Sequence, residues 1–508
     1  MAVKVILLVL FFAVMVGVGI SCRRHTTDVN GFVLGGRSVG PWLTAFAYGT
    51  SYFSAVIFIG YAGQFGWKFG VASTWIGLGN AFLGSLLAWV VLGRRTRLLT
   101  QKLGTATMPE FFGKRFSSPA LKVSAALIVF VFLIPYTASL YNGLSRLFSM
   151  AFSIDYGICI LVMAVLTGVY VIAGGYMATA VNDFIQGIIM LFGIVAVIAA
   201  VLSLNGGFTG SIAALANVSD PETNIPGVFA SFFGPDPFGL FAVVILTSLG
   251  TWGLPQMVQK FYAIKNEKAI EKGTVISTLF AVVVAGGCYF LGGFGRLFDI
   301  DVKTLGYDAI IPKMLENLPD LLIAVVILLV LSASMSTLSS LVLTSSSTLT
   351  IDIIKPASKK MTERTQLSVM RVLIAVFIII SAVLAFVQYK LNISSIAQLM
   401  GISWGALAGA FLAPFIYGLY WKRATAAGCA ASFIFGVGVM TANMIFRSYF
   451  PAILRSPVNC GAFVMLAGLV IVPVVSLLTK SPDRAKTDEM FSCYDTAVTG
   501  QAKEFLGD

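Results

Sequence analysis

The sequence predicts an all-α polytopic membrane protein of about thirteen transmembrane helices, and three observations carry that expectation. Hydrophobic residues make up 58% of the 508-residue chain and charged residues only 11%, with a mean hydropathy of +0.91, a balance far from that of soluble domains. The apolar residues fall into runs that reach the roughly 20 helical residues needed to cross a hydrocarbon core about 30 Å thick. The Lys and Arg behind the net charge of +12 gather between alternate runs, where cytoplasmic loops concentrate them.

In order, the runs lie near 3–21, 41–65, 70–93, 120–145, 156–176, 182–204, 236–259, 273–293, 321–347, 367–388, 396–419, 425–446 and 458–479. The first is too long for the apolar part of a signal peptide and "RRH" follows it at once, so it reads as a membrane helix. The basic segments then alternate: "CRRH" after the first run, "GRRTRLLTQKLG" after the third, "KFYAIKNEKAIEKG" after the seventh, "KPASKKMTERTQ" after the ninth, "WKR" after the eleventh and "KSPDRAK" after the thirteenth. That alternation predicts the amino terminus outside and the carboxyl terminus in the cytoplasm. It also excludes a nucleic-acid partner, because the charge forms no continuous basic face. The outer loops, 205–235 and 294–320, are too short for an added domain, and the polar tail from 480 reads as flexible. His25, the one histidine, sits beside Arg23 and Arg24 as a loop residue. Six cysteines scattered without CxxC spacing give neither a disulfide framework nor a metal site. "NVSD" at 217 and "NISS" at 392 fit glycosylation acceptors by pattern alone.

Two runs are interrupted at mid-membrane. The second carries Gly49, Thr50 and Ser51, and the seventh carries Gly250, Thr251, Gly253 and Pro255. A broken helix frees backbone carbonyls and amides that lipid cannot satisfy, so the exposed groups line a cavity or bind something. Five crossings separate the two, so they run in opposite directions, as paired broken helices of an inverted repeat do around substrate and ion. Glycines for close helix packing, with a tolerated proline kink, are the alternative.

The ninth run ends in "LSASMSTLSSLVLTSSSTLT", residues 331–350. Ala333, Ser336, Thr337, Ser340 and Thr344 fall on one helical stripe. Such a stripe serves either as interhelical glue, at about 0.6 kcal/mol per hydrogen bond, or as half of a site for a hard monovalent cation, the unwound carbonyls near Thr50 and Phe53 supplying the rest.

Several motifs, in order, are similar to those of the sodium:solute symporter family and most similar to its bacterial sodium/proline symporters. They are "FVLGGRSVGPWLTA" at 32–45, "YTASLYNGLSRLF" at 136–148, "YVIAGGYMATAVNDFIQG" at 170–187 and "SASMSTLSS" at 332–340. The resemblance runs over nearly the whole chain and implies a LeuT-type core of two inverted five-helix repeats. Its expected divisions are residues 1–35 for an extra helix and first loop, 36–205 and 206–420 for the repeats, 421–480 for two closing helices and 481–508 for a cytoplasmic tail. It implies sodium as coupling ion, held by backbone oxygens of Thr50, Phe53 and Ala333 with the hydroxyls of Ser336 and Thr337. Asp183, Ser339 and Ser340 match a second sodium site of some relatives; by chemistry alone, Asn182 or Asp183 caps a helix, or Asp183 is an intramembrane functional acid.

For the substrate, the resemblance retains Ser54, Tyr136 and Pro255, with Trp252 as an added stacking candidate. It departs from proline symporters at Tyr52, where they carry an acid, and at Thr247 and Thr251, where they carry aromatics. With no charged side chain in the predicted pocket, half-helix amides are expected to meet a substrate carboxylate. The expectation is a sodium-coupled symporter importing a small organic nutrient by alternating access, proline or a related amino acid first. A monocarboxylate, pantothenate, or a sugar or polyol is the alternative, and a transporter-like membrane sensor is an alternative of another class. An enzyme is not expected, since the spans hold almost no paired carboxylates or His, Cys or metal constellations, and no repeated filter suggests a channel. The expected partners are the small-molecule substrate and the lipid bilayer, with no obligatory protein partner.

Overall fold

A computed structural model of the chain describes residues 2–22, 28–221, 224–358, 361–391 and 395–496. His25 with Arg23 and Arg24, and the triplet at Asn392, lie outside those residues. Among the described residues no strand forms, only isolated bridges between Val39 and Ile264 and between Ser219 and Pro226. The backbone is satisfied along helices, as a hydrocarbon solvent requires.

Among the described residues, ten helices are long and apolar enough to cross a membrane outright, and the bent pair Pro237–Gly253 and Pro255–Tyr262, taken as one span, makes an eleventh. Two glycine turns supply the remaining divisions. Gly70, at φ 63°, interrupts the stretch 56–102; a Cβ there would fall 2.0 Å from the Phe229 carbonyl oxygen, so only glycine fits. Gly175, at φ 56° and ψ −154°, divides Tyr156–Ser203 into the fifth and sixth spans. With the half-helix Pro41–Tyr52 opening the second span, the described residues provide the thirteen expected crossings. The third runs further than the sequence suggests, to Lys102, and the ninth to Ala357.

The first helix, Ala2–Cys22, is part of the bundle. Phe11 and Met15 are buried, Asn182 Nδ2 donates to the Met15 carbonyl at 3.4 Å, and Lys4 pairs with Asp320 at 2.9 Å. The expectation of a flexible tail is corrected for its first part. Arg484–Phe491 is helical, Lys422 reaches Asp488, and Arg94 donates to the Tyr494 and Thr496 carbonyls, each at 3.0 Å. Aromatic and basic side chains hold this segment, with Arg95 over both the Tyr420 and Tyr494 rings.

The ninth span, Asp320–Thr348 and its continuation, lies at the centre, against the second, fourth, fifth, sixth and tenth spans. Every residue from Leu329 to Thr348 is buried. Its hydroxyls therefore face protein on all sides, which explains how a serine-rich helix persists at membrane depth.

Candidate functional site

The second span starts at Pro41, whose missing N–H costs nothing at the first helical position. It stops at Phe53, extended at φ −102° and ψ 101°, and the helix resumes as wide turns over Val56–Tyr61. The break redirects hydrogen bonds. The Ala55 N–H would pair with Ser51 in a continuous helix, but it donates instead to Ser334 Oγ at 3.2 Å.

The freed oxygens meet the ninth span. Ser336 Oγ donates to the Thr50 carbonyl at 2.8 Å and approaches the Ala333 carbonyl at 3.2 Å. Thr337 Oγ1 lies 3.3 Å from the carbonyls of both Thr50 and Ser51 and 3.0 Å from that of Ala333. Four of the five residues predicted for the ion, Thr50, Ala333, Ser336 and Thr337, thus converge, and the Ser51 carbonyl, which the sequence reading missed, joins them. Phe53 stands one step along, in the extended link itself. All of these oxygens are neutral, and all are buried. The set suits a hard, singly charged cation that must also leave.

The seventh span breaks in the same manner. Helix Pro237–Leu249 tightens over Gly250–Gly253, Leu254 is extended at φ −86° and ψ 121°, and Pro255 starts a second half-helix to Tyr262. The halves are bent by 48°. At Gly253 a Cβ would lie 2.8 Å from the Leu412 nitrogen and 2.9 Å from Ala408 Cα, so glycine lets the break press against the eleventh span, Ile396–Tyr420.

Asp183 does not cap a helix. It lies eight residues beyond the Gly175 turn, inside the sixth span and fully buried, which removes the capping reading for it. Its partner is Lys260 of the seventh span's second half, Nζ to Oδ2 3.7 Å, with side-chain exposures of 3% and 0%. Lys260 also donates to Ser340 Oγ at 2.9 Å. Ser340 in turn bonds Ser51 Oγ at 2.9 Å, which ties this cluster to the first. Ser339 does not join them, because its hydroxyl donates back to Ser336 O at 2.8 Å. Lys260 joins the Asp183 and Ser340 cluster as a residue that sequence reasoning did not place there. The sequence ended the seventh run at 259 and assigned this lysine to a loop.

The substrate candidates are all buried. Tyr52 stacks on Phe53, centroids 4.3 Å apart, and its hydroxyl donates to the Thr247 carbonyl. Thr251 Oγ1 donates to the Gly84 carbonyl at 3.2 Å and Trp252 Nε1 to that of Leu83 at 3.0 Å, so both hold the seventh span against the third. Ser54 Oγ accepts from Val56 N within the break. Tyr136 meets Trp404 edge-on at 5.8 Å, and Tyr52 lies 6.1 Å from the same indole. The Tyr136 hydroxyl, Trp404 Nε1 and both polar atoms of the Gln256 amide make no hydrogen bond, although all are buried. Unpaired buried polar groups are costly, so these atoms are candidates for meeting a polar ligand. Trp404 and Gln256 were not singled out from the sequence: one sits in an unbroken apolar helix, the other one residue past a proline.

Toward the basic face, Arg37 joins three elements, donating to the Tyr262 carbonyl and Thr100 Oγ1 at 3.2 Å and to the Thr105 carbonyl at 2.5 Å. Burial pushes its guanidinium down to about 10, still charged at neutral pH. Toward the opposite face, Asp308 pairs with Arg146 at 3.7 Å and accepts from the Ile396 N–H at 3.2 Å. Burial raises this carboxyl above its ordinary range, against the opposing pull of Arg146.

Comparison with known proteins accords with this geometry. The chain is 28% identical over 491 residues to a sodium/proline symporter of Staphylococcus aureus, covering 94% of this chain and 93% of the relative. It is equally 28% identical, over 490 residues, to that of strain JH9. Among solved structures, a Na+-coupled sialic acid symporter in a substrate-bound outward-open state superposes with a TM-score of 0.72 at 17% identity, over 95% of this chain and 99% of that one. That likeness establishes the shared LeuT-type fold. A family model matches residues 32–436, and with it the chain belongs to the sodium:solute symporter family, whose members are sodium-coupled carriers and not enzymes.

Proposed function

We propose that this chain imports L-proline, or a closely related small amino acid, together with sodium. The observation that carries the reading is the meeting of the broken second span with the ninth: carbonyls of Thr50 and Ser51 against the hydroxyls of Ser336 and Thr337. In the structure these hydroxyls donate to the carbonyls. With sodium between them the hydroxyl protons turn away, and every oxygen faces the cation. Sodium thereby ties the second span to the ninth and favours the state that accepts substrate. Coupling follows because the ion binds the two states with different affinity.

The substrate would sit between Tyr52, Ser54, Tyr136, Trp404 and the half-helix starting at Pro255. Its carboxylate would meet the positive end of that half-helix and the unpaired Tyr136, Trp404 and Gln256 donors; its apolar body would lie on the Tyr52 and Trp404 rings. Proline is favoured by the sodium/proline symporters of Staphylococcus aureus. Tyr52, Thr247 and Thr251, where those relatives' family pattern differs, favour as second reading another small carboxylate-bearing nutrient. The amino terminus is proposed to lie outside, with the Arg37 face cytoplasmic, since the basic loops share that side.

Uptake of labelled L-proline into proteoliposomes tests this directly. An inward sodium gradient is expected to drive saturable accumulation that unlabelled proline competes away. Accumulation indifferent to sodium would overturn the proposal. Sodium-driven uptake competed by pyruvate or pantothenate, and not by proline, would move the substrate and leave the coupling intact.

A further inference from the structure

From the surroundings of Lys260 we infer that its ammonium group is a built-in cation, standing where a second coupling ion would otherwise bind, so that the chain binds one sodium per transport cycle. The inference rests on the sodium coupling proposed above and deepens it.

The surroundings of Lys260 Nζ are those a small cation would choose. A carboxylate oxygen of Asp183 lies at 3.7 Å, the Ser340 hydroxyl oxygen at 2.9 Å, and the face of the Tyr176 ring 5.2 Å away at its centroid. They come from the sixth and ninth spans, and the ammonium comes from the seventh. Ionised, Asp183 needs a cation there. Its two oxygens make no hydrogen bond in the structure, it is wholly buried, and an uncompensated carboxylate at that depth is strongly disfavoured.

The cluster is also wired to the proposed sodium site. Ser340 Oγ shares hydrogen bonds with Lys260 and with Ser51 Oγ, and the Ser51 carbonyl is one of the oxygens around Thr337. A cation held at Ser340 therefore braces the same broken segment that sodium grips. When that cation is a lysine, it is fixed to the seventh span by four methylenes and cannot leave with the substrate. It supplies the charge and the brace without adding an ion to the transported set. Removing it while keeping Asp183 leaves an acceptor cage of carboxylate and hydroxyl oxygens, the ligand set of a sodium site.

The test counts bound ions on purified protein, with 22Na+ as the only probe and no substrate. The wild type is expected to bind about one sodium per chain, Lys260→Gln about two with a Hill coefficient rising toward two, and Lys260→Gln combined with Asp183→Asn about one again. Two ions on the wild type, or no gain in Lys260→Gln, would overturn the inference. The ion seen in the wild type should vanish in the Ser336→Ala, Thr337→Ala double variant. A wild-type count of zero refutes the first site, while the gain on removing Lys260 still tests this inference separately. If Lys260→Gln is unstable, its recovery as folded protein in sodium chloride but not choline chloride supports the claim, and equal loss in both refutes it.

Discussion

Replacing Ser336 or Thr337 by alanine is expected to raise the sodium concentration for half-maximal uptake, by an amount set by a difference between two states. In the structure, Ser336 Oγ donates at 2.8 Å to the Thr50 carbonyl and Thr337 Oγ1 makes contacts of 3.0 to 3.3 Å to three carbonyls. Losing such a bond costs the ion-free state about 1 kcal/mol. With the ion bound, the same oxygen interacts with a full charge, worth about 1.5–3 kcal/mol by analogy with hydrogen bonds to charged groups. The affinity loss is the difference, about 0.5–2 kcal/mol, or roughly two- to thirtyfold at 1.4 kcal/mol per decade. Ser339→Ala is the control, because its hydroxyl donates only to its own helix; a change of less than about twofold is expected. Sodium titrations of initial uptake rates in proteoliposomes supply the measurement. Unchanged sodium dependence in Ser336→Ala and Thr337→Ala, or a larger shift in Ser339→Ala, would refute the reasoning.

Tyr136→Phe removes a buried hydroxyl that makes no hydrogen bond in the structure, so thermal stability should hold or rise slightly, while the substrate KM rises about ten- to a hundredfold for a lost bond to a charged group; a lower melting point with unchanged KM contradicts that role. Gly253→Ala drives a Cβ to 2.8 Å from the Leu412 nitrogen; overpacking of about 1–3 kcal/mol should lower the unfolding midpoint and slow uptake together. For Asp308, the folded-state carboxyl is raised above its ordinary value, so ionising it costs stability. Its contribution is lost as pH rises from the ordinary carboxylate range, about 3.9, through the raised value. Melting curves should show the wild type losing stability across that window relative to Asp308→Asn, and parallel curves would show that the group does not titrate there.

Much of the candidate site was legible because its signals are local. Gly250, Gly253 and Pro255 punctuate an apolar run, and the stripe of hydroxyls, on a helix wholly buried from Leu329 to Thr348, serves either an ion or the packing of neighbouring helices. Lys260 was illegible for a geometric reason. Along the chain it opens a basic stretch that reads as a loop, whereas the 48° bend folds the short helix from Pro255 into the bundle and sets its lysine beside Asp183. Which way a hydroxyl points is equally hidden: Ser339 and Ser340 are neighbours in sequence, yet one bonds its own helix and the other bridges to Ser51 and Lys260. Trp404 entered the site only through contacts from distant spans, to Tyr52 and Tyr136. The ordered start of the tail was missed because its anchors, Arg94 and Arg95, lie some 400 residues earlier in the chain.

The central claim is that sodium sits between the broken second span and the ninth helix. A structure determined in saturating sodium, beside one in choline, tests it most directly. The account predicts density surrounded by oxygens of Thr50, Ser51, Ala333, Ser336 and Thr337 in sodium alone, with the two hydroxyls moved off their carbonyls. The same hydrogen bonds intact in both salts, under conditions where sodium drives uptake, would contradict it.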